Sequence, residues 1–240
     1  MANILDGHID AYSAENPYDF DNGILLRWYA QRVVALTDRA DSALELGLGH
    51  GYTAEIFSNH FTRYTVLEGS PAVVGHYRQR FQDRELNIVE TYFEQFTSAA
   101  TFDVIVMGFV LEHVDDPAAI LARFRELLAP AGRLFVAVPN AEGLNRRLGH
   151  LAGMLPDMQT LSDNDILLGH KRYYTVDSLS QEVKNAGYAV ARLEGVYLKP
   201  LTTAQMIACQ LPAEILRALC EVGVQYPELS CGILAELKRG

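Results

Sequence analysis

Three glycines stand at every second position behind a short apolar run, in the segment ALELGLGHGYTAE at residues 43–55. Because Gly47, Gly49 and Gly51 have no β carbon, the backbone there can adopt positive φ angles and pass close to a bound molecule. If a strand ends and a helix begins at this turn, the free amides that open the helix can bind an anionic group. The spacing therefore predicts a site for a ligand that carries a carboxylate or a phosphate.

An acidic residue, Glu68, ends the next apolar run, in the segment YTVLEGS. Its carboxylate is suited to accept hydrogen bonds from both hydroxyls of a ribose, a group that several nucleoside ligands share. The dinucleotide fingerprint is G-x-G-x-x-G, whereas here the third glycine comes one residue early and Tyr52 occupies the place of the expected glycine. NAD is therefore the less favoured ligand, and an NAD-dependent oxidoreductase or epimerase stays open as an alternative.

The elements that must position these residues alternate along the chain. Apolar runs rich in Val, Ile and Leu have the length of buried parallel strands, and helical patterns lie between them. Ser70 before Pro71 and Asp116 before Pro117 each place a capping side chain ahead of a proline at the first helical position. We predict an α/β fold with a doubly wound, mostly parallel seven-stranded sheet and helices on both faces. The predicted strands are 42–47, 64–68, 86–91, 102–108, 133–139, 188–197 and 231–238.

The length of 240 residues suits a single domain over residues 1–240. Residues 1–40 are expected to form an N-terminal cover with an amphipathic helix over 23–37. The segment 141–170 has no strand-like run, and an insertion of this length after the fifth strand is typical of a lid. A helix over 203–224 is expected to cover its own sheet or that of a partner, so a homodimer stays open.

Longer motifs occur in a fixed order along residues 40–190: LELGLGHG, VLEGS, FDVIVMGFVLEHVDDP, LLAPAGRLFVAVPN and GHKRYYTVDSLSQEVKNAGY. In order and distance they resemble the class I S-adenosylmethionine-dependent methyltransferases. The closer resemblance is to the small-molecule branch with the ubiquinone-biosynthesis-type O-methyltransferases and the sugar N-methyltransferases. The resemblance implies a Rossmann-like fold with a helical lid, S-adenosyl-L-methionine as the cofactor, and methyl transfer to an O or N atom of a small-molecule acceptor.

The resemblance also implies which residues bind the cofactor. The glycine turn and Glu45 would hold its methionine part, and Glu68 with Gly69 its ribose. The segment ETYFEQF would hold the adenine, although it lacks the acidic residue that the family commonly has just after the third strand. The implied cofactor-binding set is Glu45, Gly47, Gly49, Gly51, Glu68, Gly69, Phe93, Glu94 and Phe109.

A proton must leave an oxygen or nitrogen acceptor, and a histidine suits that task near neutral pH. His113, in FVLEHVDDP, is our first choice of general base, and His170, in LLGHKRYY, is the second. A mechanism that relies on alignment alone stays open, as does a protein that binds the cofactor without turnover. Four basic residues of the lid region would steer an anionic acceptor, although a solvated charged surface is the favoured interpretation: Arg146, Arg147, Lys171 and Arg172.

Composition argues against several classes of function. The net charge of −10 would repel a nucleic-acid backbone, so no nucleic-acid partner is expected. The longest apolar stretch, residues 104–111, is too short to cross a bilayer, and the first residues do not read as a leader, so we predict a cytoplasmic protein without a membrane partner. The spacing of Cys209, Cys220 and Cys231 matches neither a disulfide framework nor a zinc site, and no metal is predicted.

Overall fold

A seven-stranded sheet forms the middle layer of the protein, in a computed structural model that describes residues 5–7, 18–37, 41–81 and 85–240. The strand order is β3-β2-β1-β4-β5-β7-β6. β1 to β5 pair in parallel, whereas β7 is antiparallel to both β5 and β6. The prediction of a mostly parallel, doubly wound sheet is confirmed. The strands are β1 Ser42–Leu46, β2 Arg63–Glu68, β3 Asn87–Glu90, β4 Phe102–Gly108, β5 Leu128–Pro139, β6 Tyr188–Val196 and β7 Gly232–Arg239.

Helices cover both faces of this sheet, and several begin where the sequence predicts a cap. The Ser70 side chain accepts a hydrogen bond from the Val73 amide, and the Asp116 side chain accepts one from the Ala119 amide. These side chains satisfy amides that have no partner within the helix. The helices are α1 Asp19–Leu36, α2 Tyr52–His60, α3 Pro71–Arg80, α4 Pro117–Leu127, α5 Leu144–Leu151, α6 Asp163–Leu167, α7 Val176–Asn185, α8 Thr203–Ala208 and α9 Ala213–Gly223.

The two faces of the sheet bury two separate apolar clusters. Strand side chains alternate between the faces, so in β1 Ala43 packs with α1, α2 and α3 while Leu44 packs with α4 and α7. The same alternation turns Glu45 to the face where Tyr29 and Tyr64 lie. The local strand pattern therefore decides which side of the sheet receives this buried acid.

Two predictions about the helices need correction. The single helix expected over 203–224 is wrong, because the chain forms α8 and α9 with a break between them. Gln210 has a φ of +46° in this break, and Pro212, which has no amide hydrogen, is the N-cap of α9. The front helix begins at Asp19, before the expected residue 23.

The predicted N-terminal cover lies only partly within the described residues, since residues 1–4, 8–17 and 38–40 lie outside them. The insertion 141–170 contains α5 and α6, as expected for a helical segment, and its action as a lid stays a prediction. None of the described helices combines the length and apolar character needed to cross a bilayer.

Candidate active site

A cavity of about 440 Å³ opens at the carboxyl ends of β1, β2 and β4. Ligands of open α/β sheets bind at this edge, and small-molecule sites typically enclose about 300–1,000 Å³. Three parts of the chain wall the cavity besides the strand ends: α1, the insertion 141–170 and the segment that follows β6. They contribute, among others, Asp21, Asn22, Tyr29, Asn145, Arg146, Asp165, His170, Lys199 and Thr203, and the adjoining Tyr18 and Tyr173 also line the cavity.

The glycine turn lies on the wall of this cavity, between β1 and α2. The φ angles of Gly47, Gly49 and Gly51 are +82°, +49° and +73°, all in the left-handed region that other residues rarely adopt. A β carbon on Gly51 would lie 2.6 Å from Cδ2 of Tyr77, so this position also requires a close approach of the backbone. The predicted positive φ angles are confirmed, and all three glycines line the cavity.

Glu68 points toward this turn from the end of β2. Its Oε2 accepts a hydrogen bond of 2.9 Å from the Leu48 amide, and its Oε1 accepts one of 2.8 Å from the Ser70 amide. Burial raises the pKa of Glu68, and the backbone donors oppose that shift. The carboxylate is thus fixed at the cavity edge, where a ribose-binding acid is expected.

Glu45 lies behind the turn and is almost completely buried. The hydroxyl of Tyr64 donates a hydrogen bond to its carboxylate, and the hydroxyl of Tyr29 lies 3.4 Å from the other oxygen. Burial raises the pKa of Glu45 to about 7, although hydrogen bonds from Thr53, Tyr64 and Tyr29 oppose this. Glu45 lines the cavity, so its predicted contact with the methionine part is sterically accessible.

The other predicted cofactor residues fall into two groups. Gly69, Phe93 and Phe109 line the cavity. Phe109 has a φ of +57° directly after β4, and its ring packs edge-on against Tyr29 with the centroids 5.8 Å apart. Glu94, by contrast, is exposed and does not line the cavity, so its predicted contact with an adenine has no structural support.

The two histidines predicted as bases meet in the cavity. The rings of His113 and His170 lie edge to face with their centroids 4.6 Å apart. Nδ1 of His170 lies 3.1 Å from Oδ1 of Asp165. Burial alone would lower the pKa of His170, but the carboxylates of Asp165 and Glu112 outweigh burial and raise the pKa above its usual value.

Asp165 is a site residue that the sequence analysis missed. Its Oδ2 accepts hydrogen bonds of 2.7 Å from the Ser162 amide and 2.7 Å from the Tyr173 hydroxyl. Burial opposes ionisation, but the neighbouring imidazole of His170 and hydrogen bonds from Ser162 and Tyr173 hold the pKa of Asp165 well below its usual range. The spacing of Ser162 and Asp165 is a capping-box signal, which predicts the start of α6 but not the contact with His170.

The basic residues of the lid region are engaged with protein groups rather than directed at an acceptor. Lys171 pairs with Asp115, and Arg147 pairs with Glu142. Two arginines donate to backbone carbonyls: Arg146 to Met158 and Thr160, and Arg172 to Leu111 and Val114. These contacts do not support the steering of an anionic acceptor, which is the less favoured of the two interpretations of these residues.

Three side chains of metal-ligating types also lie together in the cavity, although the sequence analysis predicted no metal. Glu112, His113 and His170 each offer one ligand atom, and these atoms lie within 4.8 Å of one another. Imidazole and carboxylate are ligands of divalent transition metals, so these three residues are chemically able to hold one. No spacing motif indicates this set, because His170 lies far along the chain from Glu112 and His113.

Comparisons with known proteins place this cavity in a family context. The "Ubiquinone biosynthesis O-methyltransferase" of Acinetobacter baumannii (strain SDF) is 22% identical over 228 residues, which cover 90% of this chain and 91% of that protein. "Nodulation protein S" of Sinorhizobium fredii is 32% identical over 138 residues, which cover 55% of this chain and 62% of that protein.

Solved structures share the fold. The N-methyltransferase NodS from Bradyrhizobium japonicum WM9, in complex with S-adenosyl-l-homocysteine, has a TM-score of 0.64 at 16% identity and covers 99% of this chain and 98% of that chain. A methyltransferase from Thermotoga maritima, described as a possible histamine N-methyltransferase, has a TM-score of 0.63 at 16% identity, with 92% and 95% covered.

A family model described as a methyltransferase domain matches residues 22–193, which is more than half of the chain. This range contains the glycine turn, Glu68 and both histidines predicted as bases. The chain therefore belongs to the methyltransferase domain family and is an S-adenosylmethionine-dependent methyltransferase of the class I fold.

Proposed function

We propose that the protein methylates an O or N atom of a small-molecule acceptor and that His170 is the general base. When bound, S-adenosylmethionine supplies a methyl group on a positively charged sulfur. The chain's own tasks are then to hold two molecules in line and to accept a proton. The observation that carries the proposal is a single cavity that joins the glycine turn and Glu68 to the pair of His170 and Asp165.

The donor would lie along the glycine turn. The positive φ angles of Gly47, Gly49 and Gly51 remove side chains from this wall of the cavity. Glu68 is held beside the turn by the amides of Leu48 and Ser70, so a ribose would meet a carboxylate that is already oriented. Pre-orientation favours binding because less conformational freedom is lost.

His170 is favoured over His113, the first choice from sequence. The buried carboxylate of Asp165 lies at Nδ1 of His170, and a carboxylate in this position fixes the tautomer and the orientation of an imidazole. Nε2 of His170 is then the ring nitrogen that accepts the proton of the acceptor. His113 packs against the ring of His170 and restricts its movement.

The insertion 141–170 would close the cavity over the acceptor and exclude water. Arg146, Asp165 and His170 line the cavity from this segment, which supports a lid that carries part of the site. The names of the relatives include both O- and N-methyltransferases, so they support either acceptor atom. A cytoplasmic location, a homodimer and the absence of a nucleic-acid partner stay predictions.

Isothermal titration calorimetry tests the donor site. We expect the protein to bind S-adenosylmethionine and not NAD, and Glu68→Gln to weaken this binding about tenfold, because charge-assisted hydrogen bonds are lost. Glu214→Gln is a matched control, since Glu214 is exposed and does not line the cavity. Binding of NAD without S-adenosylmethionine would contradict the proposal and favour the oxidoreductase alternative.

A further inference from the structure

Glu112 is a buried carboxyl group whose oxygens have no hydrogen-bond partner in the part of the chain that the structure describes. Its side chain follows β4, is 0% exposed and lines the cavity. Neither Oε1 nor Oε2 of Glu112 has a hydrogen-bond partner among the described residues. A buried polar group without a partner is unfavourable, and a carboxylate is more so than a neutral group. The folded protein therefore holds in its cavity an acid that a ligand would satisfy.

The lysine and the arginine near Glu112 do not provide this partner. Arg172, which lies close enough to act on Glu112 electrostatically, donates to the carbonyl oxygens of Leu111 and Val114 at 2.9 Å and 2.7 Å. Lys171 contacts Glu112 only through its backbone amide and extends its ammonium group to Asp115. Both cations lie near Glu112 in the fold, yet both are directed at other groups.

The charged groups of the cavity also favour a cation. The described lining includes five carboxyl side chains, namely Asp21, Glu45, Glu68, Glu112 and Asp165, against one arginine, one lysine and three histidines, namely Arg146, Lys199, His50, His113 and His170. Lys199 is paired with Asp21 at 2.5 Å, and Arg146 donates to backbone carbonyls and to the hydroxyl of Tyr173. An anionic acceptor would find the lysine and the arginine already engaged, whereas a cationic acceptor would find Glu112.

We propose that Glu112 binds a protonated amine of the acceptor, so that the acceptor class is an amine rather than an alcohol, a phenol or a carboxylic acid. The inference rests on the proposed function and extends it. An ammonium group offers three donors to the two oxygens of Glu112. His170, whose ring nitrogen lies within 4.8 Å of the Glu112 ligand atom, is then next to the group that must lose a proton.

The test compares two probes of equal shape on the protein saturated with S-adenosylhomocysteine. 2-Phenylethylamine and 2-phenylethanol differ in one group, which is an ammonium in the first and a hydroxyl in the second. We expect the amine to bind at least about tenfold more tightly in NMR titrations near neutral pH. Equal affinities, tighter binding of the alcohol, or no binding of the amine up to its solubility would each overturn the inference.

Two variants test whether Glu112 causes the preference for the amine. Glu112→Gln keeps the shape of the side chain and is expected to abolish the preference for the amine, while Glu214→Gln, an exposed acid outside the cavity, retains it. Binding of S-adenosylhomocysteine serves as the check that each variant is folded. A preference that survives Glu112→Gln in a folded protein contradicts the assignment.

Two other cations could occupy the space beside Glu112, namely a zinc ion and the sulfonium group of S-adenosylmethionine. Each gives a different experimental outcome. If Zn²⁺ binds at Glu112, His113 and His170 and excludes the amine from the wild-type protein, the cluster is a metal site and the inference fails. Glu112→Gln could instead weaken the binding of S-adenosylmethionine but not that of S-adenosylhomocysteine, and leave the preference for the amine intact. In that case Glu112 interacts with the positively charged sulfur of the donor, and the inference fails. Failure to bind either nucleoside would instead contradict the proposed function.

Discussion

At the scale of single residues, the position of Asp165 decides what His170 can do. Asp165 is held by Ser162 and Tyr173 and lies 3.1 Å from the imidazole, so it is a positioning residue that acts through His170. Its carboxylate raises the pKa of His170 against the effect of burial. The folded state therefore gains stability from this pair at low pH, where the imidazole is charged, and loses it as pH rises through the raised pKa.

Asp165→Asn is expected to lower the pKa of His170, which NMR titration of the histidine ring measures without any acceptor. For an acceptor that the wild-type protein methylates, kcat/KM should fall about tenfold or more, and the ascending limb of its pH profile should move to lower pH. Asp163→Asn is the matched control, because Asp163 is in the same helix but is exposed and outside the cavity lining. An unchanged pKa of His170 would assign Asp165 a purely structural role.

At the scale of elements, the turn between β1 and α2 depends on backbone conformation rather than on side-chain chemistry. Gly51 caps α2 with a φ of +73°, and its amide donates a hydrogen bond to the carbonyl of Leu48. The ring of Tyr77 on α3 occupies the space where a β carbon would lie. The turn thus links the start of α2 to the packing of α3 as well as to the cavity.

Gly51→Ala is expected to lower the free energy of unfolding by about 2 kcal/mol, since an L residue in the left-handed region costs about 1–2 kcal/mol and Tyr77 must also move. Thermal or denaturant unfolding measures the change. Gly75→Ala is the comparison, because a β carbon there meets nothing within 4 Å and alanine is the better helix former, so stability should stay equal or rise. Equal stabilities of the two variants would refute this account of the turn.

At the scale of the whole molecule, the cavity is built from parts far apart in the chain. The carboxyl ends of the strands contribute the glycine turn and Glu68 to the cavity, and the insertion 141–170 contributes Asp165 and His170. Binding of a ligand in such a cavity should restrict the insertion, if this segment acts as a lid.

Hydrogen exchange measures this restriction. We expect S-adenosylhomocysteine to slow amide exchange in α5 and α6, because residues of both helices line the cavity. α9, which contributes no lining residue, serves as the internal reference and should exchange at an unchanged rate. If α5 and α6 exchange as before, the insertion is a fixed wall and not a lid.

The sequence by itself determined the order of strands and helices, the left-handed glycine turn and the position of Glu68. These features depend on residues that are close together in the chain, since periodicity, capping and the missing β carbons act locally. The motifs in their fixed order also indicated the family, which the match over residues 22–193 shows. The sequence pattern failed at the break before α9, where the helical periodicity on both sides concealed the effect of Pro212.

Only the tertiary structure decided which side chains share the cavity. It paired His170 with Asp165, left both oxygens of Glu112 without a hydrogen-bond partner among the described residues, and turned Glu94 to the surface. Such outcomes depend on how the insertion folds back over the strand ends, which brings together residues that are remote in sequence. The burial of each group and its distance from neighbouring charges then set its pKa, and both are defined only in the folded chain.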